Sequence, residues 1–392
     1  MRLALLVFGL AAALTLAAAA TAQEATCPLT GAELPTGLDV CPATGVAPTE
    51  PAPAASVEWS LDTDTGQLLP GEGVQLRTST GAAAAKEGEG CLEIDLSGAP
   101  LVGENDLPAG VLIAEPPQPV HGVSFWARTP SDGRLALICA EADGSFYIAF
   151  AALPAGRWQP IVFDIRGFML GEDDSVDEND QLDADQITMM ALVDVGTLPG
   201  LGSGRRIETL YIDDFKIYAE PIREAPIEVT GGLAFGAFGF SSVGWMPAGS
   251  GVFDVRPGDE VRPWVAQVNS TGASGANGLL ASLAMFGAQT DWTAIQFDAR
   301  SEWPCTLAVM VMEDTGGQYI QMAEPQLTNE WQTFVLNASF FEPDADKPDT
   351  YNGVLDPERV HSLIILETES LQNDGTRGNV IEVARPTVVT AP

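Results

Sequence analysis

Residues 135–150 read LALICAEADGSFYIAF, and this stretch decides the fold class. Two apolar runs flank Ala142-Asp143-Gly144, where Gly144 allows a backbone turn that a side chain would resist. The pattern predicts a β-hairpin. Short runs of alternating or β-branched residues recur from Val57 onward between Gly, Pro and Asp breakers, and none has a long helical period. The sequence therefore predicts an all-β fold.

The chain is a tandem repeat of one module. At an offset of 172 residues, FWAR at 125–128 matches FDAR at 297–300. One inserted residue then makes the offset 173, which carries Trp158 onto Trp331. This duplication predicts two tandem antiparallel β-sandwich (jelly-roll) domains, with a boundary between residues 220 and 230.

Four parts make up the predicted organisation. They are a signal peptide at 1–22, a Cys-containing leader and Pro/Ala linker at 23–56, a first module at 57–220 and a second module at 228–392. The signal has a basic start at Arg2, an apolar run and a small-x-small cleavage site before Gln23. No later apolar run reaches the ~20 residues that a membrane-spanning helix needs. We therefore expect a secreted protein, extracellular or periplasmic, without membrane insertion.

The five cysteines all follow the predicted signal, in a compartment that permits disulfides. Cys27 and Cys41 begin two similar CPxTG segments, and they either close a local loop or stay unpaired in the leader. Cys91 and Cys139 fall in strand-like runs and are either core residues or a disulfide. Cys305 is left over as a free thiol.

Strong acidity limits the partners. The 18 basic residues against 54 acidic ones give a formal net charge of -36. Such a field repels phosphate backbones and anionic lipid, which argues against nucleic acid and acidic membranes. Neutral glycans, cations and basic proteins stay open as partners.

The first module resembles the galactose-binding-like jelly-roll modules that serve as carbohydrate-binding modules of secreted polysaccharide-degrading enzymes. The segments that carry the resemblance are FWARTP at 125–130, the hairpin at 135–150, GRWQPIVFDIRGF at 156–168, LDADQITMMALV at 182–193 and TLYIDDFKIY at 209–218. The second module shares it less sharply. The resemblance implies two facing antiparallel sheets, a sugar-binding face and often a structural calcium. Because this fold also serves in protein-binding and structural roles, the ligand stays open.

Sugars stack on exposed aromatic rings while polar side chains meet their hydroxyls. Strand alternation places Trp126 on the face opposite to Phe125, away from the expected core. Tyr147 alternates with apolar neighbours, so we expect Tyr147 on an outer face, and we expect the same of its counterpart Tyr319. The ligand-binding candidates are Trp126, Arg128, Tyr147, Tyr319 and Arg300. The alternative is that these aromatic residues pack under a loop or against the other module.

Trp158 and Trp331 each follow a loop and precede a core strand. Their retention in both copies favours a role in packing.

In the modules that this sequence resembles, calcium joins an acidic residue near the first strand to the Asp of the closing strand. Here the resemblance implies Glu58 with Asp213 or Asp214, as one structural Ca²⁺ in the first module. The sequence match replaces Glu58 by Gly244 and Asp214 by Val383 in the second module, so the site is not expected there. The alternative for the Asp pair is a solvated strand end.

Common catalytic motifs are missing from the sequence. Its two histidines, His121 and His361, are not at equivalent positions, and GxSxG, HExxH, GxxxxGK and paired CxxC do not occur. The leading hypothesis is a secreted, non-catalytic polysaccharide-binding protein. The alternative is a structural or protein-interaction component of the cell surface or extracellular matrix, with other cell-surface proteins as partners.

Overall fold

A computed structural model describes the following residues: 54–81, 85–100, 109–171, 181–197, 205–222, 227–229, 232–234, 245–248, 251–259, 261–262, 264–270, 277–282, 292–313, 316–344, 353–369 and 378–390. The predicted signal peptide and the leader with Cys27 and Cys41 lie outside the described residues. Within the described part of the chain, no helix has the length and apolar character to cross a membrane.

Strands between residues 55 and 218 form two antiparallel sheets. Sheet I contains β1 (Ala55–Trp59), β3 (Gln75–Thr80), β4 (Gly90–Asp95), β6 (Gly122–Arg128), β9 (Gln159–Asp164) and β12 (Thr209–Tyr218). Sheet II contains β2 (Leu69–Pro70), β5 (Gly110–Ala114), β7 (Gly133–Glu141), β8 (Phe146–Leu153), β10 (Met169–Leu170) and β11 (Ile187–Asp194). The order across sheet I is β3-β4-β12-β6-β9, with β1 also on β12, and across sheet II it is β10-β8-β7-β11-β5-β2.

Strands between residues 227 and 390 form two further sheets. Sheet III contains β13 (Ile227–Val229), β14 (Gly232–Ala234), β16 (Val252–Pro257), β17 (Trp264–Asn269), β19 (Trp292–Ser301), β22 (Gln332–Asn337) and β25 (Val380–Thr390). Sheet IV contains β15 (Trp245–Ala248), β18 (Asn277–Ser282), β20 (Cys305–Glu313), β21 (Gln318–Leu327), β23 (Glu342–Pro343) and β24 (Val360–Glu367). Short 3₁₀ turns occur at Ile165–Gly167, Ala338–Phe340 and Pro357–Arg359.

Each pair of sheets encloses a core through strand alternation. In β6, Phe125 and Ala127 are buried in the core cluster, as are Leu135 and Leu137 of β7 in the opposite sheet. Burying a Leu or Phe side chain stabilises a fold by about 1.5–3 kcal/mol, so these inner faces supply the main driving force. The prediction of two tandem antiparallel β-sandwiches is confirmed. The exact boundaries at 57–220 and 228–392 stay a prediction.

Tyr147 and Tyr319 lie inside the sandwiches, so the prediction that they occupy outer faces is wrong. Both side chains are 0% exposed and belong to the core cluster. The reason is that both faces of β8 are apolar: Phe146 and Ile148 pack in a second cluster on the other side of sheet II. Hydrophobic alternation alone could not distinguish the inner face from the outer one.

The closing strands β12 and β25 share a backbone irregularity that fixes how the copies match. Ile212 pairs with Ala127 as Val383 pairs with Ala299, so Val383 is the counterpart of Ile212. Two residues further on, Asp214 and Arg385 both adopt φ = 50°. The predicted match of Asp214 to Val383 is therefore wrong, because hydrogen-bonded register aligns Asp214 with Arg385.

The predicted match between the first strands of the two copies is also wrong. Glu58 of β1 pairs with Lys216 of the closing strand, and Ala234 of β14 pairs with Thr387. β14 therefore takes the place of β1, and Glu58 corresponds to Ala234 rather than to Gly244. Sequence matching failed here because gaps near the module ends could not be placed without the strand pairing.

The remaining described cysteines are unpaired. Cys91, Cys139 and Cys305 are buried free thiols, so the alternative of a disulfide between Cys91 and Cys139 is wrong. Burial raises the pKa of Cys91 to about 11. These thiols are therefore protonated at neutral pH and act as small core side chains.

The two halves of the chain contact each other. β8 of sheet II lies against β15 and β16 of the second half. Leu153 and Phe253 line a small cavity at this contact. Arg157 donates hydrogen bonds to Asp254 Oδ1 and to the backbone oxygen of Val255.

The buried Tyr319 hydroxyl generates a stability prediction. Tyr319 Oη donates to the backbone oxygen of Val354 at 2.8 Å, which ties the segment before β24 to the hairpin. Tyr319→Phe should lower the free energy of unfolding by about 0.5–1.5 kcal/mol, because the substitution deletes this bond. Urea denaturation measures the effect. Tyr211→Phe, at a half-buried tyrosine, is the control and should change stability by less than about 0.5 kcal/mol. Equal stability of both variants and the wild type would contradict a structural role of the Tyr319 hydroxyl.

Candidate functional site

A transverse row of side chains crosses the outer face of sheet I. Cross-strand pairing places Arg77 beside Glu93, Glu93 beside Tyr211 and Tyr211 beside Arg128. Trp158 directly precedes β9, and its ring contacts Arg128. We call Arg77, Glu93, Tyr211, Arg128 and Trp158 the first row. These side chains face outward because their neighbours along each strand, such as Leu92, Ile212 and Ala127, point into the core.

Arg128 contacts both aromatic rings of the first row. Its Cζ lies 4.9 Å from the ring centroid of Trp158 and 4.8 Å from that of Tyr211. Cation–π contacts of this kind contribute about 0.5–2 kcal/mol each. Arg77 Nη1 lies 3.8 Å from Glu93 Oε1. Burial and the charge of Glu93 together raise the pKa of Tyr211, so its hydroxyl is protonated at neutral pH and can donate a hydrogen bond.

An equivalent row crosses the outer face of sheet III. Cross-strand pairing places Asp254 beside Gln267, Gln267 beside Glu382 and Glu382 beside Arg300. Trp331 directly precedes β22, and Arg300 Cζ lies 4.7 Å from its ring centroid. We call Asp254, Gln267, Glu382, Arg300 and Trp331 the second row.

An ion-pair network stabilises the second row. Glu382 is buried, and its carboxylate accepts hydrogen bonds from Arg256, Arg300 and Gln267. Because two guanidinium groups share one carboxylate, further N–H donors remain on them. A cleft of ≈330 Å³ opens above the row, lined by Gln267, Arg300, Ser301, Glu302, Asn329, Val380 and Glu382.

The two rows share one contact and differ elsewhere. The matched positions are Arg77 with Asp254, Glu93 with Gln267, Tyr211 with Glu382, Arg128 with Arg300 and Trp158 with Trp331. The arginine on tryptophan is the shared contact. In the first row Arg128 contacts two rings, whereas in the second Trp331 contacts two guanidinium groups, those of Arg300 and Arg262. The rows therefore offer a ligand different polar groups around the same Arg–Trp pair.

Trp126 has the predicted strand face but not the predicted exposure. It points away from the core, yet its side chain is only 5% exposed. Residues 85–89, which we call the strap, cover it, and Lys86 Nζ lies 4.3 Å from its ring centroid. The prediction of an exposed platform at Trp126 is therefore wrong, because the strap folds over that part of sheet I.

Asp213 holds the strap in place. Its Oδ2 accepts hydrogen bonds from the backbone N–H groups of Lys86 at 2.8 Å and Glu87 at 2.9 Å, and its Oδ1 accepts one from Asp214 at 2.8 Å. Burial raises the pKa of Asp213, and these hydrogen bonds act in the opposite direction. The carboxylate is thus committed to backbone donors.

The structure does not gather Glu58, Asp213 and Asp214 into a calcium cage. Lys216 Nζ lies 3.4 Å from Glu58 Oε1 and 2.7 Å from Asp214 Oδ2. Burial acts to lower the pKa of Lys216, but the hydrogen bond and the charge of Asp214 raise it overall, so the ammonium stays charged. Glu58 Oε1 and Asp214 Oδ2 thus face an ammonium, and both oxygens of Asp213 accept from backbone N–H groups, so a calcium ion would have to displace these partners. The predicted ion is not assigned to these residues.

Arg128 and Arg300 lie on outer faces, where the sequence placed them, and each belongs to a row. Trp158, Tyr211 and Trp331 were missed as candidates. The available signal was the retention of Trp158 and Trp331 in both copies, which on its own favours packing. Each tryptophan is in fact half-buried, with its ring against an arginine.

Several solved structures are similar to this chain. The tandem CBM22-1–CBM22-2 domain of Xyn10C from Paenibacillus barcinonensis has 12% identity and a TM-score of 0.29, over 88% of this chain and 99% of that one. The family 11 carbohydrate-binding module from Clostridium thermocellum, in complex with a β-1,3-1,4-mixed-linked tetrasaccharide, has 16% identity and a TM-score of 0.29, over 38% and 89%. TmCBM61 in complex with β-1,4-galactotriose has 15% identity and a TM-score of 0.24, over 39% and 87%.

No protein-family model matches the chain, and no curated protein matches it. The similar structures named above are of the class that the sequence resembles. At 12–16% identity they say nothing about which ligand this chain binds.

The strap generates a prediction about Trp126. Asp213→Ala removes the acceptor of the Lys86 and Glu87 N–H groups, so this part of the strap should loosen and expose Trp126 to solvent, while Asp62 still accepts from Glu89 N–H. Acrylamide quenching of tryptophan fluorescence should then increase. The same comparison in a Trp126→Phe background isolates this ring from the other seven tryptophans. An Asp213→Ala increase that persists in the Trp126→Phe background would contradict the assignment.

Proposed function

We propose that this protein is a secreted, non-catalytic polysaccharide-binding protein whose ligand lies along the first and second rows. The observation that carries the proposal is the Arg–Trp contact on an outer sheet face, present in both copies at equivalent positions. If the Arg–Trp pair served only to fill the core, it would not need to lie on the outer face of the sheet. A ring and a guanidinium that are both partly accessible suit a sugar, which offers a C–H face and hydroxyls side by side.

The polar groups of the rows suit neutral hydroxyls. Arg128 and Arg300 carry N–H donors, the Tyr211 hydroxyl can donate and accept, and Gln267 offers an amide. The formal charges of the rows are largely compensated, since Arg77 pairs with Glu93 and Glu382 pairs with two arginines. The net charge of -36 also disfavours acidic polymers. The ligand class we propose is therefore a neutral polysaccharide.

Binding without catalysis is consistent with the acidic groups of the rows. A glycosidase needs one carboxyl that holds a proton and a second one across the scissile bond. Glu93 pairs with Arg77, and Glu382 pairs with Arg256 and Arg300. They therefore suit the positioning of arginine donors rather than proton transfer.

A second candidate function is that of a structural or protein-interaction component of the cell surface. The outer face of sheet IV favours it, because apolar residues occur there at positions where a solvated face is usually polar. Met322 is 45% exposed, and Met310, Met312 and Ile364 are half-buried on the same face. Methionine-rich surfaces adapt to protein partners. Absence of polysaccharide binding would move the assignment to this function.

Substitution of the row tryptophans tests the leading proposal. Trp158→Ala and Trp331→Ala should each weaken retention in native gels containing mixed-linked glucan, xylan or galactan, by about tenfold in affinity for the polymer that the wild type binds. Each substitution removes the ring on which a sugar would stack.

Phe340→Ala is the matched control, since Phe340 is an aromatic residue with 64% exposure outside both rows. Circular dichroism and thermal unfolding of every variant separate loss of binding from loss of fold. Unchanged retention of both tryptophan variants on a polymer that the wild type binds would contradict a site along the rows.

A further inference from the structure

The two rows are joined end to end. The first row ends at Trp158, and the residue before it, Arg157, donates hydrogen bonds to Asp254 and to the backbone oxygen of Val255. Asp254 is the first member of the second row, on the edge strand β16. The contact therefore connects the Trp158 end of one row to the Asp254 end of the other.

The line of residues runs the full width of both sheets. Each row spans five neighbouring strands, and a strand spacing of about 4.8 Å makes each row roughly 19 Å long. The first row starts on the edge strand β3, and the second row ends beside β22, which pairs with β19 alone among the described strands. Both ends of the line thus lie at sheet edges.

The junction is accessible rather than sealed inside the contact between the halves. The side chains of Arg157 and Asp254 are 39% and 37% exposed. An ion pair at this exposure contributes little to overall stability, typically below about 1 kcal/mol. Because this ion pair lies between the two rows, it holds the Trp158 end of the first row beside the Asp254 end of the second row.

We propose that the first and second rows form one continuous track for a single extended polysaccharide chain, and that Arg157 and Asp254 are positioning residues that align its two halves. This inference rests on the proposed function and specifies its ligand. The track takes internal stretches of a polymer, because among the described strands each of its ends lies at a sheet edge. Binding to the second row then becomes intramolecular once the first row is occupied, which raises affinity for chains long enough to reach both.

Charge reversal at the junction tests the inference. The ligands are the polymer that native gels retain, among mixed-linked glucan, xylan and galactan, and oligosaccharides from it that are too short to reach both rows. Arg157→Asp should lower affinity for the polymer by about tenfold or more and leave affinity for the short oligosaccharides unchanged, because Arg157 belongs to neither row. Asp254→Arg should lower affinity for the polymer by a similar factor. The double variant Arg157→Asp/Asp254→Arg should recover polymer affinity relative to either single variant, because the ion pair is restored with reversed polarity.

Glu58→Arg is the matched control, since Glu58 forms an exposed ion pair with Lys216, belongs to neither row and does not line the cavity between the halves. It should leave both affinities unchanged. Calorimetric titration gives the affinities, and thermal unfolding verifies that each variant is folded.

Two results would overturn the inference, and they are distinguishable. If both single variants bind polymer as tightly as the wild type, while Trp158→Ala and Trp331→Ala still weaken binding, the rows act as separate sites and only the continuous track fails. If the wild type binds none of the three polymers, the proposed function fails and the track fails with it.

Discussion

The contact of a guanidinium with an indole ring is the interaction on which the functional surface depends. Arg128 of β6 against Trp158 reaches the edge strand β9 of sheet I, and Arg300 of β19 against Trp331 reaches β22 of sheet III. Each contact needs an outward arginine that follows a buried residue of the same strand, Ala127 or Ala299. Strand alternation thus produces the core and the surface from the same segment, FWAR or FDAR. Since the contact occurs at equivalent positions of both sandwiches, any ligand that uses it meets two such surfaces in one chain.

Much of the fold could be predicted from the sequence, because its signals are local or repeated. The turn at Gly144, the alternation around it and the constant offset between the copies all concern neighbouring or matched residues. The failures have physical causes of another kind. Tyr147 was assigned to the wrong face because both faces of its strand are apolar, and Trp126 was assigned as exposed because the strap that covers it comes from a distant segment. The register of the closing strand depended on hydrogen bonding that sequence matching does not see.

Only part of the candidate site could be predicted. Strand alternation placed Arg128 and Arg300 correctly on outer faces, but a row is assembled across five strands from residues far apart in the chain. Glu93 and Tyr211 adjoin only because β4 pairs with β12, and Asp254 reaches Arg157 only because the two halves contact each other. The retained tryptophans were visible in the repeat. Their role was not visible, because retention alone does not distinguish packing from binding. The observation that favours binding is that the Arg–Trp pair is partly accessible.

Hydroxyl-radical footprinting of the protein, with and without the neutral polysaccharide that it retains best, tests the central claim most directly. The account predicts that the polymer protects Trp158, Tyr211 and Trp331 together, whereas the exposed Phe340 and Met322 oxidise at the same rate in both states. Protection of Phe340 or Met322 with unchanged oxidation of the row aromatics would place the ligand elsewhere and contradict the account.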